Sequence, residues 1–237
     1  MQKYINIFFV MQKLLPLYMY FYNSIFLLKN RNKMGYFDFR SQFIELACFS
    51  VHQIDAIFPG FDHNNLTHWQ RKGLLVKLRQ GFYTFPEYKV QPNFGLFISN
   101  YIYKPSYISL YTALSFYEII PEAVTQFSAV SVLKTAAFEN SFGSFLYMKM
   151  KPSLIFGYNI LPLNNRSIHI AQPEKAILDL FYLYPFYNTK REIRNLRFDE
   201  DFVCNELNVE KLALYLDKFN NKELVKRVDI FTKFYNI

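Results

Sequence analysis

The sequence predicts an α+β protein in which an N-terminal winged helix-turn-helix precedes a mixed α+β C-terminal domain. Three observations predict it. Short amphipathic runs fill residues 40–72, a hairpin pattern centred on Gln80-Gly81 follows at once, and beyond Pro92 apolar helical runs alternate with strand-like segments. The expected parts are residues 1–33 as an apolar, basic extension, 34–89 as the winged helix-turn-helix and 90–237 as the α+β domain.

Ile5 to Leu28 is apolar, but Lys13 interrupts it, and the uncharged stretch from Leu14 to Leu28 is 15 residues. A membrane span needs about 20, and no small-residue cleavage site follows, as a secretory signal requires. The expectation is that translation begins at Met34; a membrane-associated or signal segment and an ordered extension are the alternatives.

From Arg40 onward Phe43, Leu46, Ala47 and Ser50 fall at helical spacing, and Val51, Ile54, Asp55 and Phe58 form a second run that stops at Pro59-Gly60. A third helix is predicted from His63 to Lys72, with Asp62 as N-cap and Gly73 as its stop. Leu74–Arg79 and Phe82–Phe85 then make the hairpin. In the C-terminal domain the pattern gives a helix from Tyr107 to Ile120 stopped by Pro121. Strands follow at Phe127–Leu133, Ser144–Met150, Leu154–Leu161 and Ser167–Ala171, then a helix from Pro173 to Tyr184. Two or three charged helices lie between Thr189 and Tyr235.

The net charge is +8, but five cations and no acid lie in residues 1–33, which leaves +3 for the rest. Local clustering therefore says more than the total. Between His63 and Tyr83 stand Arg71, Lys72, Lys77 and Arg79, with no acidic residue. On the third helix Asn64, Thr67, His68 and Arg71 share one face, at i, i+3, i+4 and i+7, while Leu66, Trp69 and Gly73 share the other. Amide, hydroxyl, imidazole and guanidinium groups are those that reach base edges and phosphates. A polar helix face alone reads as a solvated face; the element order and the basic hairpin turn the expectation to DNA. Its contacts are expected at Asn64, Asn65, Thr67, His68, Arg71, Lys72, Lys77, Arg79 and Gln80.

Three phrases resemble a known family. Lys72–Tyr83, with Leu75, Leu78, Gly81 and Tyr83, looks like the wing of the AbiEi-type antitoxins of type IV toxin–antitoxin (abortive infection) systems. Tyr107–Glu122 is similar to the helix that opens that family's second domain, and Ala171–Tyr182 to its most recognisable motif. The resemblance runs from about Phe39 to the C-terminus. It implies a cytoplasmic transcriptional repressor in phage defence, bound to double-stranded operator repeats upstream of its own operon and countering a nucleotidyltransferase-like toxin encoded beside it.

The Ala171–Tyr182 segment needs no chemistry. Pro173 suits a first helical position, Glu174 the positive helix end, Lys175 and Asp179 pair at i,i+4, and Ala176, Ile177, Leu180 and Phe181 face a core. Its functional alternative is that exposed Glu174, Lys175 and Asp179 touch the toxin or a second subunit. Those three also mimic a nuclease carboxylate–lysine set, but on a helix rather than adjacent strands. His52, His63, His68 and His169 include no i,i+4 metal pair, and no phosphate-binding or nucleophile-elbow glycine motif is present. No enzyme activity, metal or cofactor is expected. Cys48 and Cys204 read as free thiols, and Asp199-Glu200-Asp201 as a solvated loop or helix start rather than a cation site. The competing function classes are a winged helix that binds a partner protein and a membrane-tethered regulator.

Overall fold

The computed structural model describes residues 34–122 and 125–237 as a mixed α+β structure that divides after Pro86 into two units. The readings made for residues 1–33 lie outside the described residues. The division falls before the expected 89/90 boundary because Tyr88 stacks on Phe94 at 4.8 Å and its hydroxyl accepts from Arg166 at 3.1 Å, both partners in the second unit.

The first unit contains α1 (Tyr36–Phe43), β1 (Cys48–Ser50), α2 (Val51–Ile57), α3 (Asn64–Arg71), β2 (Val76–Arg79) and β3 (Phe82–Thr84). The strands form an antiparallel sheet in the order β1-β3-β2. β1 corrects the helical reading of Phe43–Ser50. A short 3-10 turn, Ile44–Leu46, ends the helical path, and Ala47 at φ +62° redirects the chain so that Phe49 pairs with Tyr83. The buried Thr84 hydroxyl holds that turn by donating to the Ala47 carbonyl at 2.6 Å. Ser50 closes the strand and opens α2: its side chain accepts from the Gln53 amide while Gln53 Oε1 accepts from the Ser50 amide, a capping box.

Aromatic rings fill the space between these elements. Phe39, fully buried, lies within 6.4 Å of the ring centroids of Phe43, Phe49, Phe61, Trp69 and Phe85. One side chain thus joins α1, β1, α3 and the segments beside them.

The second unit is built on a six-stranded mixed sheet in the order β6-β7-β5-β4-β9-β8, with β4 (Ser106–Ile108), β5 (Gln126–Ser131), β6 (Ala136–Asn140), β7 (Gly143–Lys149), β8 (Tyr158–Leu163) and β9 (Arg166–Ala171). Its helices are α4 (Phe94–Ile102), α5 (Leu110–Phe116), α6 (Pro173–Leu183), α7 (Lys190–Asn195), α8 (Val209–Phe219) and α9 (Lys222–Tyr235). Alternation along the strands assigns the two faces. Tyr147 of β7 donates from its hydroxyl to the Ser99 carbonyl of α4, and Phe127 of β5 lies against Gly95, where a Cβ would come within 2.1 Å of its ring. On the opposite face Ser128 bonds Thr112 of α5, and Tyr107 of β4 reaches α6. The expected single helix Tyr107–Ile120 is thereby corrected. Its start is a strand at the middle of the sheet, and α5 begins only after Ser109 and Leu110, the latter at φ +58°.

α6 is fixed to the sheet by a buried polar cluster. Lys175 pairs with Asp179 one turn on, and Lys175 Nζ also donates to the Tyr107 hydroxyl at 2.9 Å. Asp179 Oδ2 accepts from Tyr107 and from Ser109, both at 2.8 Å. The ammonium sits 4.9 Å from the ring centroids of Phe156 and of Phe219. Burial pushes the Asp179 carboxyl up and the Lys175 ammonium down, and the opposite charge of each partner counters that shift. Removing one partner leaves a buried charge alone, whereas removing both does not. Asp179→Ala is expected to cost the second unit about 3–5 kcal/mol in urea unfolding. A Lys175→Met, Asp179→Leu double variant loses much less.

Candidate nucleic-acid interface

α3 separates its side chains by chemistry. Leu66 and Trp69 are buried, with the Trp69 ring 4.8 Å from Phe39, 5.9 Å from Phe61 and 5.6 Å from Tyr36. Asn64, Thr67, His68 and Arg71 are exposed, as are Lys72, Lys77 and Gln80; Asn65 and Arg79 are half-buried. Packing on one side therefore orients the polar groups on the other.

α3 begins at Asn64, one residue later than the sequence indicates, with His63 rather than Asp62 at its N-cap and no side-chain cap bond from it; the stop at Gly73 is where the sequence places it. The Asp62 carboxylate accepts from the Asn64 amide at 3.0 Å, which satisfies a free helix donor and suits the helix dipole. At the other end Gly73 takes φ +71°, its amide bonds the Gln70 carbonyl at 3.0 Å, and the Leu74 amide bonds Trp69 at 2.9 Å. That pair of bonds is a Schellman cap, and it favours glycine at the left-handed position. The chain then enters β2 directly. Two further ties were invisible in the sequence because their partners are distant or depend on β1. The Tyr36 hydroxyl donates to the Leu74 carbonyl at 3.1 Å, and the Val51 amide bonds Gly81 at 2.9 Å, joining the hairpin turn to α2. His63 Nε2 lies 2.7 Å from Asp55 Oδ1, linking α2 to the start of α3.

Arg71, Lys72 and Lys77 form no salt bridge with a described acidic residue. They are open to an anion from outside. Arg79 differs, since its guanidinium lies over the Phe82 ring at 4.8 Å. Gly81, at φ +77°, follows Gln80 in the two-residue turn, and the β2–β3 register shifts between Lys77 and Arg79. That irregularity increases local twist at the hairpin end.

The second expected contact set, Glu174, Lys175 and Asp179, is corrected by the structure. Lys175 and Asp179 are 0% exposed and Glu174 is 4%. Glu174 pairs with Lys211 at 2.9 Å and accepts from the Asn208 amide, so all three charges are satisfied internally and present no surface to a partner. Among the described residues no three His, Cys, Asp or Glu side chains gather as a metal group, and no helix is long and apolar enough to cross a membrane. Asp199 accepts from the Phe202 amide at 2.7 Å, as a helix start does. Cys48 and Cys204 are free thiols. Compared with protein-family models and with curated proteins, the chain matches none.

The two faces of α3 differ in what substitution does to stability. Thr67→Ala and His68→Ala are expected to stay within about 0.5 kcal/mol of the parent in chemical denaturation. Trp69→Ala costs about 3–5 kcal/mol through the cavity it leaves.

Proposed function

We propose that the protein is a sequence-specific, double-stranded-DNA-binding repressor without enzymatic activity, acting in the cytoplasm as an antitoxin of the type the AbiEi-like phrases imply. The observation that carries the reading is α3, which is apolar where it meets the Phe39 cluster and polar to basic where it faces out, and which runs directly into a basic hairpin. The element order α1-β1-α2-α3-β2-β3 and the sheet order β1-β3-β2 support a winged helix-turn-helix. In that reading α3 enters the major groove and the hairpin follows the backbone.

The side chains then divide by role. Asn64 and Asn65 carry amides able to pair with adenine, Arg71 reaches guanine or a phosphate, and Thr67 and His68 fill the same face. Lys72 and Lys77 neutralise phosphates, Arg79 is held at the hairpin end by Phe82, and Gln80 stands at the turn. Operator repeats upstream of its own gene and a nucleotidyltransferase-like toxin encoded beside it belong to the same proposal. So does autoregulation of the operon.

The test is an anisotropy titration of the full chain against duplex DNA from upstream of its own gene, with random duplex as control, at several salt concentrations. Preference for the upstream duplex is expected. An Arg71→Ala, Lys72→Ala, Lys77→Ala variant should lower the slope of log affinity against log salt by about 3, near 0.9 for each phosphate no longer neutralised. Equal affinity for random DNA, or binding indifferent to the triple substitution, contradicts the proposal.

A further inference from the structure

The sheet of the second unit opens at one place. β4 and β9 run parallel but pair only at Ile108 and Ile170, so towards their N-terminal ends they part. Asn100 of α4 spans the opening: its Oδ1 accepts from the His169 amide at 2.7 Å and its Nδ2 donates to the His169 carbonyl at 3.2 Å, as a neighbouring strand would. Beside it lies a cleft of about 410 Å³ walled by Phe97, Tyr101, Tyr107, Tyr158 and His169. The Tyr158 ring, partly exposed, lies nearly parallel to those of Tyr107, at 5.1 Å and 13°, and His169, at 5.7 Å and 16°. The Ser106 hydroxyl oxygen lines the same cleft, buried and without a hydrogen-bond partner.

The same end of the sheet is basic. Ser106 of β4 pairs with Ser131 of β5, and Ser131 with Lys149 of β7; the Lys149 amide bonds the Thr135 hydroxyl beside Lys134. Lys104, Lys134, Lys149 and Lys151 therefore belong to one row of strand ends, all exposed and none in a salt bridge with a described residue. The segments 103–107, 132–136 and 149–154 contain no acidic residue. Lys104 also lines the cleft, its ammonium 4.6 Å from the Tyr101 ring centroid. From β4 to β6 the row crosses three strand spacings, about 14 Å, which is longer than the phosphate group of one mononucleotide.

We infer that this end of the second unit binds single-stranded nucleic acid, with one base in the aromatic cleft and the adjoining phosphates along the lysine row. Stacked rings beside a line of unpaired cations are the two elements of sequence-tolerant single-strand binding. The unpartnered Ser106 hydroxyl supplies a polar contact within the cleft. The site is independent of α3 and the hairpin, and does not rest on the duplex-binding proposal.

The full chain is titrated with a single-stranded oligoribonucleotide of about 12 residues carrying 2-aminopurine, whose fluorescence reports stacking. Lys134→Ala, Lys149→Ala, Lys151→Ala is expected to weaken binding at least ~10-fold and to lower the log–log salt slope by about 2, near 0.7 per phosphate. Tyr158→Ala should weaken it about 10-fold and diminish the 2-aminopurine response, while Tyr158→Phe, which keeps the ring, restores both. Arg71→Ala, Lys77→Ala leaves single-strand binding unchanged. The inference is overturned by no binding, by binding that disappears with Arg71 and Lys77, or by lysine dependence with no response at Tyr158.

Discussion

The burial of Trp69 against Phe39 is the contact on which the first unit depends. It fixes the rotation of α3 about its own axis, so Asn64, Thr67, His68 and Arg71 face outward as a consequence of where the indole goes. Phe39 reaches β1 through Phe49 and the end of β3 through Phe85, and Tyr36, one turn earlier, bonds the Leu74 carbonyl where α3 gives way to β2. Helix orientation and hairpin position are thus set by one aromatic cluster. A helix held this way loses little backbone freedom on meeting a ligand, which lowers the cost of binding.

The second unit is held by a different interaction. A lysine and an aspartate are removed from water and satisfied by each other, by Tyr107 and Ser109, and by the ring faces of Phe156 and Phe219. Such a network adds little stability over an apolar equivalent, but it admits few alternative packings of α6 on β4. Tyr107 takes part on both sides. Its hydroxyl closes the buried network, and its ring stacks on Tyr158 at the wall of the aromatic cleft. The structural core and the cleft consequently share a residue, and the geometry of one constrains the other.

What the sequence made legible was local. The two faces of α3, its Gly73 termination and the Gln80-Gly81 turn depend on neighbours within a few residues, and each is found where the pattern placed it. The strands β1 and β4 were not legible. Each is three residues long, too short for a period to register, and each is a strand only because distant segments pair with it. Lys175 and Asp179 show both cases in one motif. Their i,i+4 pairing was readable, but their burial was not, because Tyr107 and Ser109 stand about 70 residues earlier in the chain. The aromatic cleft had no sequence signal for the same reason: α4, β4, β8 and β9 each contribute side chains to it from separate stretches of the chain.

The central claim is that α3 and the β2–β3 hairpin form the surface that meets duplex DNA. Backbone hydrogen–deuterium exchange of the full chain, with and without duplex DNA from upstream of its own gene, tests it most directly. The account predicts that DNA slows exchange across residues 62–83, most at the exposed end of α3 and the hairpin turn. Protection confined to residues 87–237, or none at saturating duplex, would contradict it.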